Sequence, residues 1–147
     1  MIIRKASLAD LDKVMLVEQA SHTHPWSESI VRRYLQKPGT VWALETEFDY
    51  CGHAIISQVV DEAELLMISI HPKHQGKGYG KALLTFVMSN LEQAGIRNMF
   101  LEVRESNVAA IALYESLGFC ETGRRYNYYP SDRGPEDALL YSIELLD

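Results

Sequence analysis

The stretch HPKHQGKGYGKALLTFV, residues 71–87, constrains the fold more than any other. It joins an extended apolar run, AELLMISI at 63–70, to a run with helical apolar spacing at Ala82, Leu83, Phe86, Val87 and Leu91. Between them stand Gly76, Gly78 and Gly80, interleaved with Lys77 and followed by Lys81. A strand, a glycine turn and a helix start aim successive backbone N–H groups into one concavity, at the positive end of the helix dipole. Glycine lets an anion reach that backbone without a Cβ in the way. The pattern predicts a site for a di- or polyphosphate. Two common versions are excluded. A Walker loop needs glycine at 75 and Ser or Thr at 82, where the chain has Gln75 and Ala82. A dinucleotide fingerprint starting at Gly76 needs glycine where Lys81 stands, and the wider strand–helix alternation is missing.

The remaining elements follow from spacing and punctuation. MIIRKA reads as a first strand, and Ser7 with Asp10 as a capping box for a helix carrying Leu8, Leu11, Val14, Met15 and Leu16. SHTHPW breaks that helix. Ser27 caps a second one with an apolar face of Ile30, Val31, Tyr34 and Leu35, onto which Trp26 can staple at Val31. TVWALE, YCGHAIISQVV and AELLMISI read as three strands, and NMFLEVR at 98–104 as another. Asn107 caps a helix with Ile111, Tyr114 and Leu117 that Gly118 stops in the left-handed region. FCETGRRYNYY and DALLYSIEL read as two final strands around a polar loop. The order predicts an α+β fold built as a single domain, 1–147, on one central sheet.

Composition narrows the function. The chain has 20 acidic against 14 basic residues, a formal net charge of −6. Nucleic acid as main partner needs a basic footprint, so the balance argues against it and leans toward a basic substrate. No apolar run is long enough to span a membrane, and no secretory signal is legible at the start. Cys51 and Cys120 are read as free thiols in a reducing cytoplasm, not as a disulfide or a metal framework. His22 with His24, and His71 with His74, lack the companion ligands a zinc site requires. No Gly-x-Ser-x-Gly elbow is present.

The spacing Gln75-x-x-Gly78-x-Gly80 resembles the pyrophosphate loop of the GCN5-related N-acetyltransferases (GNAT), which cradle coenzyme A. LEVRESNVAAIALYESLGF at 101–119 resembles a second segment of that superfamily. IRKASLADLDKV, HPWSE, YNYYP and EDALL extend the resemblance over nearly the whole chain, toward the RimI-like group that acetylates the N-terminal alanine of a small-subunit ribosomal protein. The resemblance implies the GNAT fold: a single mixed, largely antiparallel sheet of about seven strands flanked by about four helices. It implies acetyl-CoA as co-substrate without a metal, a ribosomal protein N-terminus as acceptor, and a cytoplasmic monomer or weak dimer.

It also implies roles. Ile68, Ser69 and Ile70 would offer backbone groups to the pantetheine arm, on a strand edge that must splay or bulge. Gln75, Gly76, Lys77, Gly78, Tyr79, Gly80 and Lys81 would hold the pyrophosphate, with Asn107 as a further coenzyme A contact beside its cap role. Glu102 would be the general base and Tyr114 the general acid. Glu102 interrupts MFLEVR, which otherwise reads as a buried strand; on a solvated face it would instead pair with Arg104. Tyr114 would otherwise serve packing alone, with Ile111 and Leu117. Trp26, in the loop after the first helix, and Tyr128, in the aromatic run before the polar loop, would wall the peptide groove. Two other functions stay open: acetylation of lysine side chains, polyamines or another small amine, and a non-catalytic coenzyme A-binding sensor or assembly subunit.

Overall fold

The computed structural model describes residues 1–145. The strands are β1 (Ile2–Lys5), β2 (Val41–Glu45), β3 (Tyr50–Val59), β4 (Glu62–Ile70), β5 (Asn98–Arg104), β6 (Cys120–Tyr129) and β7 (Glu136–Glu144). The helices are α1 (Leu11–Ser21), α2 (Glu28–Leu35), α3 (Tyr79–Gln93) and α4 (Val108–Ser116). The seven strands run in the order β1-β2-β3-β4-β5-β7-β6. The β4–β5 pair is parallel, and β1–β2, β2–β3, β5–β7 and β6–β7 are antiparallel. This mixed, largely antiparallel sheet with four α-helices is the architecture the sequence leads one to expect.

The chain falls into two compact units: Met1–Ser57 with Leu66–Ser89, and Gln58–Leu65 with the chain from Asn90 onward. In the first, Leu11 and Val14 of α1, Val31 and Leu35 of α2, Val41 and Ile55 form one buried cluster. Residues 11, 14 and 17 recur on one face of α1, and all three are buried. Leu8 and Leu16 were expected there but are exposed. Leu8 lies in a 3-10 turn, Leu8–Asp10, and that tighter winding sets a different face from the α-helix behind it. The Ser7 N–H donates to Asp10 Oδ2 at 2.9 Å, the acidic half of the expected capping box. At α2 the Ile30 N–H reaches Ser27 Oγ at 3.4 Å, and Glu28 pairs with Arg32 one turn on at 2.7 Å. Trp26 packs on the cluster and lies 5.4 Å from the Tyr34 ring.

In the second unit β5 pairs with β7 from Asn98↔Glu144 to Arg104↔Ala138. Met99, Leu101 and Val103 are buried while Phe100, Glu102 and Arg104 face the other side, the period-2 alternation of a one-sided strand. The parallel register of β4 with β5 runs from Glu62↔Asn98 only to Leu65↔Leu101. At Leu66 the strand passes into the first unit. Asn107 Oδ1 accepts the Ala110 N–H at 3.2 Å, which caps α4. Gly118, at φ +99°, ends it as expected. Among the described residues no helix is long and apolar enough to cross a membrane.

Candidate active site

The end of β4 and the loop behind it form the first part of the site. His71 donates its N–H to the Cys51 carbonyl at 2.8 Å, and its Nδ1 accepts the Lys73 N–H at 3.1 Å, which caps the short turn Pro72–His74. Gln75 Nε2 donates to the Ile70 carbonyl at 2.9 Å, folding the loop back on its strand. Gly76 and Gly78 sit at φ +77° and +81°, a region that only glycine enters without strain. Gly80 lies inside the first turn of α3, so the loop's conformation depends on two glycines of the three. Ala82 makes an early helical bond, back to the Gly78 carbonyl at 3.0 Å. The N–H groups before it have no helical carbonyl to reach, and Gln75–Gly78 and Lys81 are exposed. A solvent-facing loop with free N–H donors and two lysines suits a diphosphate.

Ser69 is buried, and Ile68 and Ile70 are partly so. A Cβ on Gly52 of β3 would meet the Ser69 carbonyl oxygen at 2.3 Å and Ile70 Cα at 3.1 Å. The absent side chain is what lets β3 press its backbone against this segment.

Glu102, Tyr114, Asn107 and Tyr128 belong to the second unit. Glu102 lies mid-strand on the open face of β5 and is not fully buried. This corrects the buried setting expected of it: its side chain keeps a quarter of its surface, and Oε1 pairs with Arg125 Nε at 2.9 Å. Arg104, the partner expected for a solvated Glu102, instead binds Glu136 at 3.3 Å and stacks 4.3 Å from the Tyr129 ring. Arg125 also lies 5.4 Å over Tyr128, which meets Tyr129 edge-on at 5.0 Å. Partial burial, and then the negative charge of Glu102, raise the Glu64 carboxyl from its ordinary value, with Arg125 opposing. Three carboxylates, Glu64, Glu102 and Glu136, two arginines and two tyrosines are thus linked within this unit.

Tyr114 is buried and lies edge-on to Phe119 at 5.9 Å. Burial pushes its phenol up to about 12. A phenol at that value keeps its proton at neutral pH, so it can act there as a hydrogen-bond and proton donor and not as a base. Trp26, in the first unit, walls a surface groove with Met15, Leu16, Pro25 and Glu28. Among the described residues no cluster of His, Cys, Asp and Glu could hold a metal ion.

Sequence reasoning missed a polar group in the first unit, with Glu18, His53 and Ser69 buried and His22 and Tyr50 half-buried. A signal was available, because Glu18 continues the buried stripe of Leu11 and Val14, and His53 interrupts the apolar run of β3.

The model of the acetyltransferase (GNAT) family matches residues 9–119. The chain belongs to that family. Among curated proteins, this acetyltransferase is 40% identical to the [ribosomal protein bS18]-alanine N-acetyltransferase of Escherichia coli K12, over 97% of each chain. It is 38% identical to the protein of the same name from Haemophilus influenzae, covering 98% of this chain and 99% of the other. Among solved structures, the ribosomal-protein-S18-alanine N-acetyltransferase of Escherichia coli superposes with a TM-score of 0.93 at 38% identity, over 99% of this chain and 94% of the other. Ard1 from Thermoplasma volcanium superposes at 0.87 with 26% identity, over 99% and 98%.

Proposed function

We propose that this acetyltransferase moves the acetyl group of acetyl-CoA to the N-terminal alanine amine of a small-subunit ribosomal protein, in the cytoplasm where such proteins are made. The observation that carries the reading is the end-to-end identity of 40% with an enzyme named for that acceptor. The net charge of −6 supports a basic acceptor.

The reaction needs a neutral amine, a held oxyanion and a protonated leaving group. The diphosphate of acetyl-CoA binds the N–H groups and lysines of Gln75–Lys81, and the pantetheine arm follows the backbone of Ile68–Ile70. Asn107 adds a coenzyme A contact. The amine attacks the thioester carbonyl directly; the C–N bond forms, the C–S bond breaks, and no acyl-enzyme is made. Glu102 takes the amine proton, directly or through a water. Tyr114 gives its proton to the thiolate. Trp26 and Tyr128 flank the acceptor peptide. An α-amine has a pKa near 8, so about a tenth is neutral at pH 7 and a modest base suffices.

The test is a panel of peptides with free alanine N-termini against the same peptides Nα-blocked and carrying lysines. Acetyl transfer to free alanine α-amines with little to lysine is expected. Robust lysine acetylation with none on alanine termini would overturn the acceptor assignment.

A further inference from the structure

Five polar residues that the proposed chemistry does not use through their side chains are gathered inside the first unit. Glu18 lies on α1, Tyr50 and His53 on β3, Ser69 on β4, and His22 directly after α1. Glu18 and His53 are wholly buried and Ser69 nearly so. The Ser69 hydroxyl donates to Glu18 Oε1 at 2.6 Å, and His53 Nε2 lies 2.7 Å from the same oxygen. With its proton committed to Glu18, Ser69 Oγ is left as an acceptor. Its donor is His22 Nε2, 2.6 Å away. The Tyr50 hydroxyl, 3.1 Å from His53 Nδ1, closes the other end. Glu18 Oε2 is buried without a hydrogen-bond partner, 4.0 Å from His22 Nε2.

A carboxylate placed this way is a poor source of stability, because desolvation offsets most of what its partners return. What it supplies is geometry. Ser69 Oγ is gripped from two sides, one of them a charge-assisted bond. The backbone of the same residue is pressed by Gly52, and the next strand carbonyl along β3, that of Cys51, holds His71. Ser69 is the middle of the segment Ile68–Ile70, and His22 opens the stretch that leads to Trp26.

We propose that Glu18 is a positioning residue for acetyl transfer, holding Ser69 of β4 and, through it, His22 of the α1–α2 loop as one hydrogen-bonded unit, so that the acyl-carrying edge and the acceptor-binding loop are set together. This rests on the reading that Ile68–Ile70 takes the acyl arm and that the loop with Trp26 takes the acceptor.

The experiment compares full-length Ser69→Ala, Glu18→Gln and His22→Phe with the wild type. It measures steady-state kinetics on an alanine N-terminal peptide, calorimetric titration with acetyl-CoA, and Tm. Ser69→Ala keeps the backbone groups and removes only the hydroxyl. In that variant kcat should fall about tenfold or more, the size expected when a reacting group is held less well, and peptide KM should rise several-fold. Acetyl-CoA affinity should stay within about threefold, because the loop's grip on the diphosphate is untouched. Adding His22→Phe to Ser69→Ala should cost little more, since both break one unit. A merely structural role would lower Tm and leave the kinetics alone well below it. Should kcat and peptide KM of Ser69→Ala stay within about twofold of an active wild type, or the two losses simply add, the inference is overturned. Should Glu18→Gln fail to fold, Ser69→Ala decides. A wild type that gives no heat with acetyl-CoA and no turnover would overturn the site reading, and this inference with it.

Discussion

Arg125 on β6 reaches across the intervening strand β7 to place its Nε 2.9 Å from Glu102 Oε1 on β5. Both side chains keep solvent contact, 55% for Arg125 and 25% for Glu102. Exposed pairs of this kind contribute about 0–1 kcal/mol, so the carboxylate is not there to hold the sheet. Glu102→Gln should therefore separate chemistry from stability. It should lower kcat about 100-fold or more, the cost of losing a general base, while Tm moves by less than about 3 °C. Steady-state assays beside a thermal melt check both. Unchanged kcat would remove Glu102 from the mechanism.

Tyr114 has the opposite setting: buried, with its ring against Phe119 and its phenol pushed up to about 12. Tyr114→Phe keeps the ring contact and deletes the proposed proton donor. Turnover should drop by about 100-fold with the melt nearly unchanged. Because the phenol stays protonated far above neutrality, the wild-type kcat/KM should climb through pH 8 as the amine loses its proton and show no downturn before about pH 10. A falling limb near pH 8 or 9 that disappears in Tyr114→Phe would contradict the value and the role.

What the sequence disclosed and what it hid follow from the range of the interactions. Residues 98–104 read as a strand and are one, Asn107 and Ser27 cap their helices, and Gly118 stops α4. Each of these depends on neighbours within a few residues. The Arg125 partner of Glu102 was not legible, because it depends on the register of β6 on β7, which is irregular between Arg125 and Tyr129. The Glu18–Ser69 bond was hidden for the same reason, its ends standing 51 residues apart. A polar residue in an apolar stripe flags that a partner exists and does not say which. The glycine loop was legible as a turn between a strand and a helix, yet the division of labour within it was not: Gly76 and Gly78 carry the left-handed turns, and Gly80 is helical.

Gly52 is a position where a single methyl should be felt at once. The added Cβ would sit 2.3 Å from the Ser69 carbonyl oxygen, a backbone atom that cannot swing away. Overpacking of this kind costs about 1–3 kcal/mol, which for a chain of this size lowers Tm by about 2–12 °C. Gly52→Ala should also disturb the segment proposed to carry the acyl arm, so its acetyl-transfer rate should fall at temperatures where it is still folded. Gly134→Ala, where no atom lies near the added Cβ, serves as the steric control, with only the strain of its φ of +98°. A Gly52→Ala protein with wild-type melt and rate would mean that β3 does not press on β4 as described.

The buried groups of the first unit also set how stability responds to acid. Burial pushes Glu18 up, but the His53 and Ser69 hydrogen bonds and the His53 and His22 charges outweigh it and hold the carboxyl below its ordinary value. Asp10 is lowered by its Arg4 hydrogen bonds, at 2.8 and 3.1 Å, against a smaller cost of burial. A carboxyl lowered by folding stabilises the fold above its unfolded value, and that contribution is lost as pH falls through the folded one. His22 is lowered too, chiefly by burial, from an ordinary 6.5. Below about 6.5 the unfolded chain takes up a proton that the folded chain refuses, so this term also removes stability as pH drops. The two windows differ: His22 acts from about 6.5 downward and the carboxyls below about 4.5. Urea midpoints should be level near pH 7.5, decline from pH 6.5 downward, and decline more steeply below pH 4.5. His22→Gln, whose amide can still donate to Ser69, should erase the upper decline and keep the lower one. A wild-type midpoint that rises on acidification from pH 7.5 to 5.5 would mean that His22 gains more from Glu18 than it loses by burial.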